Sequence, residues 1–205
     1  ILVFFTFYAS SGFVATGRLF ETLFGMHYHD AMFWGSVVML AYTFFGGFLA
    51  VSWSDVLQGT LMFFALVLVA AIGVGLAGGG GELLARIDAA NPALLDPLVG
   101  SDGQALGLIG IASLLAWGLG YPGQPHILAR FMAIRSAADM PTARRVAMGW
   151  VVVVLLAAVV VGLAGAVLIA PPLEGPDAEK VFIQLATTHL HPVLAGICLS
   201  GILAA

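Results

Sequence analysis

The chain has 205 residues, of which 61% are hydrophobic and 9% charged, with a formal net charge of −4 at pH 7. A soluble domain carries about 25% charged residues, so this composition excludes an ordinary water-soluble globule and calls for lipid as the solvent. No basic stripe points to nucleic acid, and a single cysteine, Cys198, excludes an internal disulfide.

The chain opens on Ile1 inside one apolar run and closes with "GICLSGILAA" inside another, so it is expected to be an internal piece of a larger protein, with no targeting signal to read. Six stretches lack Asp, Glu, Lys and Arg: 1–17, 31–54, 56–78, 103–129, 146–170 and 181–205. A bilayer core of about 30 Å needs roughly 20 helical residues, and 56–78 and 146–170 meet this directly. Within 31–54, "FFGGF" predicts a helix end near Gly46–Gly47. The next helix is expected to begin around Ser52–Asp55, where "SWSD" offers capping oxygens. Lipid leaves no partner for open sheet edges, and the short alternating segments of a barrel are absent. The expectation is an all-α membrane protein with about six transmembrane helices.

Between these stretches, "GGGG" at 78–81 reads as the start of a flexible loop, and "APPLEGPD" at 170–177 as another. Arg130, Arg135, Arg144 and Arg145 crowd one connection, whereas 79–102 has Arg86 against Glu82, Asp88, Asp96 and Asp102. The positive-inside rule places 130–145 in the cytoplasm, as a solvated loop, with a gating role for its arginines as the alternative. By alternation 17–30, 79–102 and 170–177 lie outside.

The fourth stretch carries the chemistry. "WGLGYPGQPHILARF" (117–131) packs glycines and prolines into an apolar run, and Trp117, Tyr121 and Pro125 at i, i+4 and i+8 would share one helix face. Pro122 and Pro125 each lack an N–H and disrupt the preceding turn. Two readings stand side by side: a Pro-kinked packing helix with aromatic anchors, or an unwound segment whose freed carbonyls and half-helix ends hold an ion or a small zwitterion. His126 is expected to hydrogen-bond freed backbone, with a proton carrier as the alternative.

Other residues support less. His27 and His29, like His189 and His191, are two apart and point away from each other on a helix, so no metal site is expected. Cys198 lacks a nucleophilic constellation, and no Walker or dinucleotide motif occurs, so neither an enzyme nor an ATP-driven pump is indicated. A subunit of a redox complex would want ligand histidines three or four residues apart, and none occur.

"WGLGYPGQPHILARFMA" (117–133) resembles a segment of the sodium:solute symporter family. So do "FFTFYASSG" (4–12), "GRLFETLFGM" (17–26), "YTFFGGFLAVSWSD" (42–55), "ARR" (143–145) and "AGICLSGILAA" (195–205), in the same order through nearly the whole chain. The resemblance implies a LeuT-type fold of two inverted repeats in the cell membrane. About 1–78 would end the first repeat and about 103–205 begin the second, all within one transmembrane domain. It implies sodium-coupled import of a small solute, L-proline first, with another amino acid, a monocarboxylate or a vitamin as the alternative, and no protein partner.

By the same resemblance Tyr8, Trp117, Tyr121 and Pro125 would line the substrate pocket, with Gln124 offering an amide. Ala205 would give one backbone carbonyl to sodium, and Asp55 would lie on the sodium path. From the residues alone, Tyr8 reads equally as an interior tyrosine, and Asp55 as a helix-start acid held by the macrodipole. Pro122 replaces an aromatic found in many relatives, which sets strict proline selectivity apart from the rest of the resemblance.

Overall fold

The computed structural model describes residues 2–100, 103–173 and 175–203, with the side chains of Leu19, Thr22, Leu23, Trp117, Pro122, Pro176, Ile202 and Leu203 left aside. Ala205 lies outside the described residues. Among the described residues the only β pairing is an isolated bridge between Val99 and Ala105. The helices are α1 (Leu2–Phe24), α2 (Tyr28–Ala77), α3 (Gly80–Ala90), α4 (Leu108–Gly120), α5 (Pro125–Met132), α6 (Met140–Leu168), α7 (Val181–His189) and α8 (Pro192–Leu203).

Among the described residues, two helical segments, Tyr28–Ala77 and Ala137–Leu168, are long and apolar enough to cross a membrane. Only 28% and 22% of their most apolar windows are buried, unlike the core helix of a soluble protein. Phe44, Phe45, Leu108 and Ile109 are each at least 85% exposed. Large exposed apolar surfaces of this kind mark contact with lipid or another chain.

The first helix continues past its uncharged run, because Arg18 and Glu21 pair with each other at 3.2 Å one turn apart. It stops at Gly25, whose φ of 64° suits a residue without a Cβ and whose amide donates to the Glu21 carbonyl (3.1 Å). The break expected near Gly46–Gly47 falls at Gly47, with φ 57° and ψ −158°. The restart, however, is immediate and not at Ser52–Asp55. The hydroxyls of Ser52 and Ser54 donate backward to the carbonyls of Phe48 and Val51 (2.8 Å each), so both are interior residues and not caps. One glycine suffices to turn the chain, and the limbs 28–46 and 48–77 need no loop.

The chain forms two compact units, 1–65 with 196–205, and 66–195. In the first, Gly17 lies against the Tyr28 ring and Gly35 against the Thr16 methyl, so small residues let α1 and α2 approach. Gly201 of α8 faces the backbone of Leu61 and Met62. In the second, Gly73 of α2 meets Ala164 of α6, and Gly165 meets Val181 of α7.

The "GGGG" stretch is half loop and half helix. Gly78 and Gly79 take φ of 97° and 105°, but Gly80 and Gly81 begin α3. This helix is amphipathic: Leu83 and Ile87 are buried with Ala77 and Ala164, flanked by Val74, Leu94, Leu163, Val167 and Leu168. Glu82 and Arg86 pair at 3.3 Å on its outer side. The apolar stripe at i and i+4 was legible as such, and it folds a stretch read as loop onto the ends of α2 and α6.

Two further differences follow from local chemistry. Arg144 and Arg145 are helical rather than looped, because α6 begins at Met140 with Pro141 in its first turn. The last uncharged stretch is two helices instead of one. Leu190 is extended (φ −101°, ψ 150°), and Pro192 opens α8 because it has no N–H to continue α7 and drives its predecessor out of helical geometry.

Candidate functional site

The span expected to be interrupted is interrupted. Helix α4 ends at Gly120, Tyr121–Gly123 form one 3-10 turn, Gln124 is extended (φ −74°, ψ 120°), and α5 restarts at Pro125. The backbone bonding shows the cause. Pro125 cannot donate to the Tyr121 carbonyl four residues back, and the Gln124 amide donates to it instead (3.2 Å). Pro122 likewise removes the donor that a continuous helix would aim at the Gly118 carbonyl. The Gln124 carbonyl accepts from the amides of both Ile127 and Leu128 (3.1 Å each), which locks the start of α5.

At about 1.5 Å per residue, the 13 residues of α4 rise about 20 Å and the 8 of α5 about 12 Å. Neither alone spans a bilayer core of about 30 Å. The interruption at 121–124 lies inside the uncharged run 103–129, toward its end. Gly118, Gly120 and Gly123 each have open space where a Cβ would stand, so the backbone is accessible there.

The single-face expectation for Trp117, Tyr121 and Pro125 is corrected. A 3-10 turn advances about 120° per residue and the extended Gln124 breaks the phase, so helical spacing does not carry through from α4 to α5. The four candidates at 117–125 lie in one nine-residue stretch of the second unit. Trp117 is on the last turn of α4, and its side chain is outside the described residues. Tyr121 is 40% exposed, and Gln124 and Pro125 are half-buried. The carbonyl of His126 accepts from Arg130 Nη1 at 3.5 Å, a contact one turn back along α5.

Tyr8 and Asp55 belong to the first unit. Tyr8 is 58% exposed on α1, its ring centroid 5.9 Å from that of Phe5, and its carbonyl accepts from Ser11 Oγ (2.7 Å). Asp55 is half-buried in the interior of the second limb of α2, so the helix-start explanation for it fails: the limb begins seven residues earlier, just past Gly47. An acid inside an apolar helix is costly and reads as functional by default.

Residue-by-residue reading missed one local role. At the interruption between α7 and α8, His191 Nδ1 accepts from the Val193 amide (3.4 Å) while its carbonyl accepts from Ala195 (2.9 Å). His191 is thus the capping residue of α8. The signal was present in the His-Pro pair, which disfavours a continuous helix.

An apolar run interrupted in this way recurs in secondary transporters. The profile of the sodium:solute symporter family matches residues 1–205. The chain belongs to the sodium:solute symporter family. It is 46% identical over 206 residues to the high-affinity proline transporter PutP of Bacillus subtilis (strain 168), covering 100% of this chain and 42% of that relative. It is 48% identical over 210 residues to a sodium/proline symporter of Escherichia coli (strain K12), covering 100% and 41%. A sodium/proline symporter of Staphylococcus aureus is 43% identical over 206 residues, covering 100% and 39%. The chain thus spans about two fifths of the length of the curated relatives it matches. No solved structure matches it.

Proposed function

We propose that this protein is a sodium-coupled symporter that imports L-proline across the cell membrane by alternating access. The observation that carries the reading is the break at Tyr121–Gln124 within an uncharged span, in a chain whose relatives are named as proline transporters. Trp117, Tyr121 and Pro125 supply an apolar wall suited to a pyrrolidine ring, and Gln124 supplies an amide. The start of α5 presents the positive end of a helix dipole to a carboxylate. The family resemblance adds Tyr8 of α1 as a further substrate-binding candidate.

In this reading the fold is LeuT-type, with six membrane helices from 1–205. Residues about 1–78 close one inverted repeat and about 103–205 open the next, within a single domain. Residues 130–145 face the cytoplasm. Sodium is held through the Ala205 carbonyl and further oxygens, since a hard cation wants about six, and it passes Asp55 on its way inward. The driving force is adequate: one sodium ion crossing about 100 mV releases roughly 2.3 kcal/mol. A tenfold sodium gradient adds about 1.4 kcal/mol. Together they sustain a substrate gradient of several hundred-fold.

A second reading keeps the mechanism and changes the cargo. Pro122 removes a further backbone donor in the stretch that forms the pocket wall, which favours a reshaped site for another amino acid, a monocarboxylate or a vitamin. Uptake of labelled proline by the full-length protein separates these readings. Sodium-dependent uptake that falls at least tenfold in Trp117→Ala supports the first. Uptake that persists when choline replaces sodium refutes the coupling, and unchanged uptake in Trp117→Ala refutes the pocket. Competition by unlabelled solutes that outcompete proline establishes the second.

A further inference from the structure

Four of the seven basic residues of the chain fall between 130 and 145, and Asp139 is the only acid among them. That acid is already committed, to Arg135 at 3.6 Å. Arg130 turns back along α5 to the His126 carbonyl. Arg144 and Arg145 remain. Both are exposed, and among the described residues no carboxylate is in ion-pair range of either. They are the fifth and sixth residues of α6, close to the helix end that carries the positive half-charge of the macrodipole. Two adjacent unpaired cations repel each other, and an anion would relieve the repulsion.

The depth of the pair identifies the anion. The apolar surface of α6 begins at the very next residue: Val146, Met148 and Val152 are 66%, 57% and 49% exposed. Two guanidinium groups therefore stand where an uncharged lipid-facing surface meets a charged collar, the level of phospholipid headgroups. Guanidinium binds phosphate oxygens through two parallel N–H donors. We propose that Arg144 and Arg145 form a docking site for the phosphate of an anionic phospholipid at the start of α6. Bound anionic headgroups neutralise the positive collar and anchor the α6 end of the 130–145 connection at a fixed depth.

The test uses the purified full-length protein in neutral detergent, titrated with phosphatidylglycerol and followed by native mass spectrometry and by melting temperature. The wild type should bind phosphatidylglycerol in preference to phosphatidylcholine and be stabilised by it. At about 1 kcal/mol per arginine near a charged lipid surface, Arg144→Gln should weaken binding about fivefold and Arg144→Gln/Arg145→Gln about 30-fold. Arg144→Lys/Arg145→Lys should stay between wild type and the double glutamine variant, because the charge survives and the fork does not. Equal phosphatidylglycerol affinity in wild type and the double glutamine variant overturns the proposal. Stabilisation of the wild type by millimolar inorganic phosphate as strong as that by phosphatidylglycerol also overturns it, since the site would then serve a soluble anion. The single variant keeps the test open should the double variant fail to fold, and none of the readouts depends on transport.

Discussion

Replacing Gly47 with alanine isolates the backbone contribution to the turn between the two limbs of α2. Gly47 has φ 57° and ψ −158°, a region essentially reserved for glycine, and a Cβ built there meets nothing within 4 Å. The substitution therefore costs conformational strain and no packing clash, about 1–3 kcal/mol. Gly12, in the middle of α1, is the matched control: its Cβ also meets nothing within 4 Å, but its backbone is helical. Alanine there should gain up to about 1 kcal/mol of helix propensity. The two variants should thus differ by about 1–4 kcal/mol, roughly one to three powers of ten in the folded-to-unfolded ratio. Equilibrium unfolding in detergent micelles, read by helical circular dichroism, measures the difference directly. A Gly47→Ala protein as stable as Gly12→Ala would refute the assignment of the turn to a glycine-only conformation.

Three further outcomes test the packing. Gly73→Ala should destabilise by about 1–3 kcal/mol through overpacking, because its Cβ would stand 2.8 Å from that of Ala164. Adding Ala164→Gly should restore most of that loss, whereas a double variant no better than Gly73→Ala would place the contact elsewhere. Ile87→Ala removes a fully buried side chain from under α3 and should cost about 2–5 kcal/mol, read as faster amide hydrogen exchange along 80–90 with α6 little changed. Exchange unaltered in α3 would mean that it does not pack on α2 and α6. His191→Ala should lose about 1 kcal/mol with the cap of α8, while His191→Asn retains most of it; identical stabilities would remove the capping role.

The hydrophobic runs and the proline–glycine signals were readable residue by residue, because they act over one turn of chain. That is why the sequence pointed to Tyr121–Gln124: two missing N–H groups three residues apart weaken the helix there, and the structure unwinds it where a kink was the other reading. The same holds for Gly47, where the glycine pair announced a turn, and for the His-Pro pair before α8, whose signal was equally local but passed unread inside an uncharged run. What the helix does on either side of a break is less local. The expected single face of Trp117, Tyr121 and Pro125 assumed an unbroken 3.6-residue period, and the 3-10 turn and extended Gln124 reset it. Ser52 and Ser54 looked like caps because capping and back-bonding use the same hydroxyl, and only the position of the restart distinguishes them.

Tertiary structure alone decided which small residues matter. Gly73 and Gly12 are alike in the sequence, yet one faces Ala164 and the other open space, since a close helix approach depends on a partner far along the chain. It likewise turned residues 80–90 from an expected loop into a helix, because burying Leu83 and Ile87 against Ala77 and Ala164 offsets the poor helix propensity of its opening glycines. Composition determined the lipid setting and local chemistry determined the broken spans. Which surfaces meet was settled by contacts between residues that no short stretch of sequence contains.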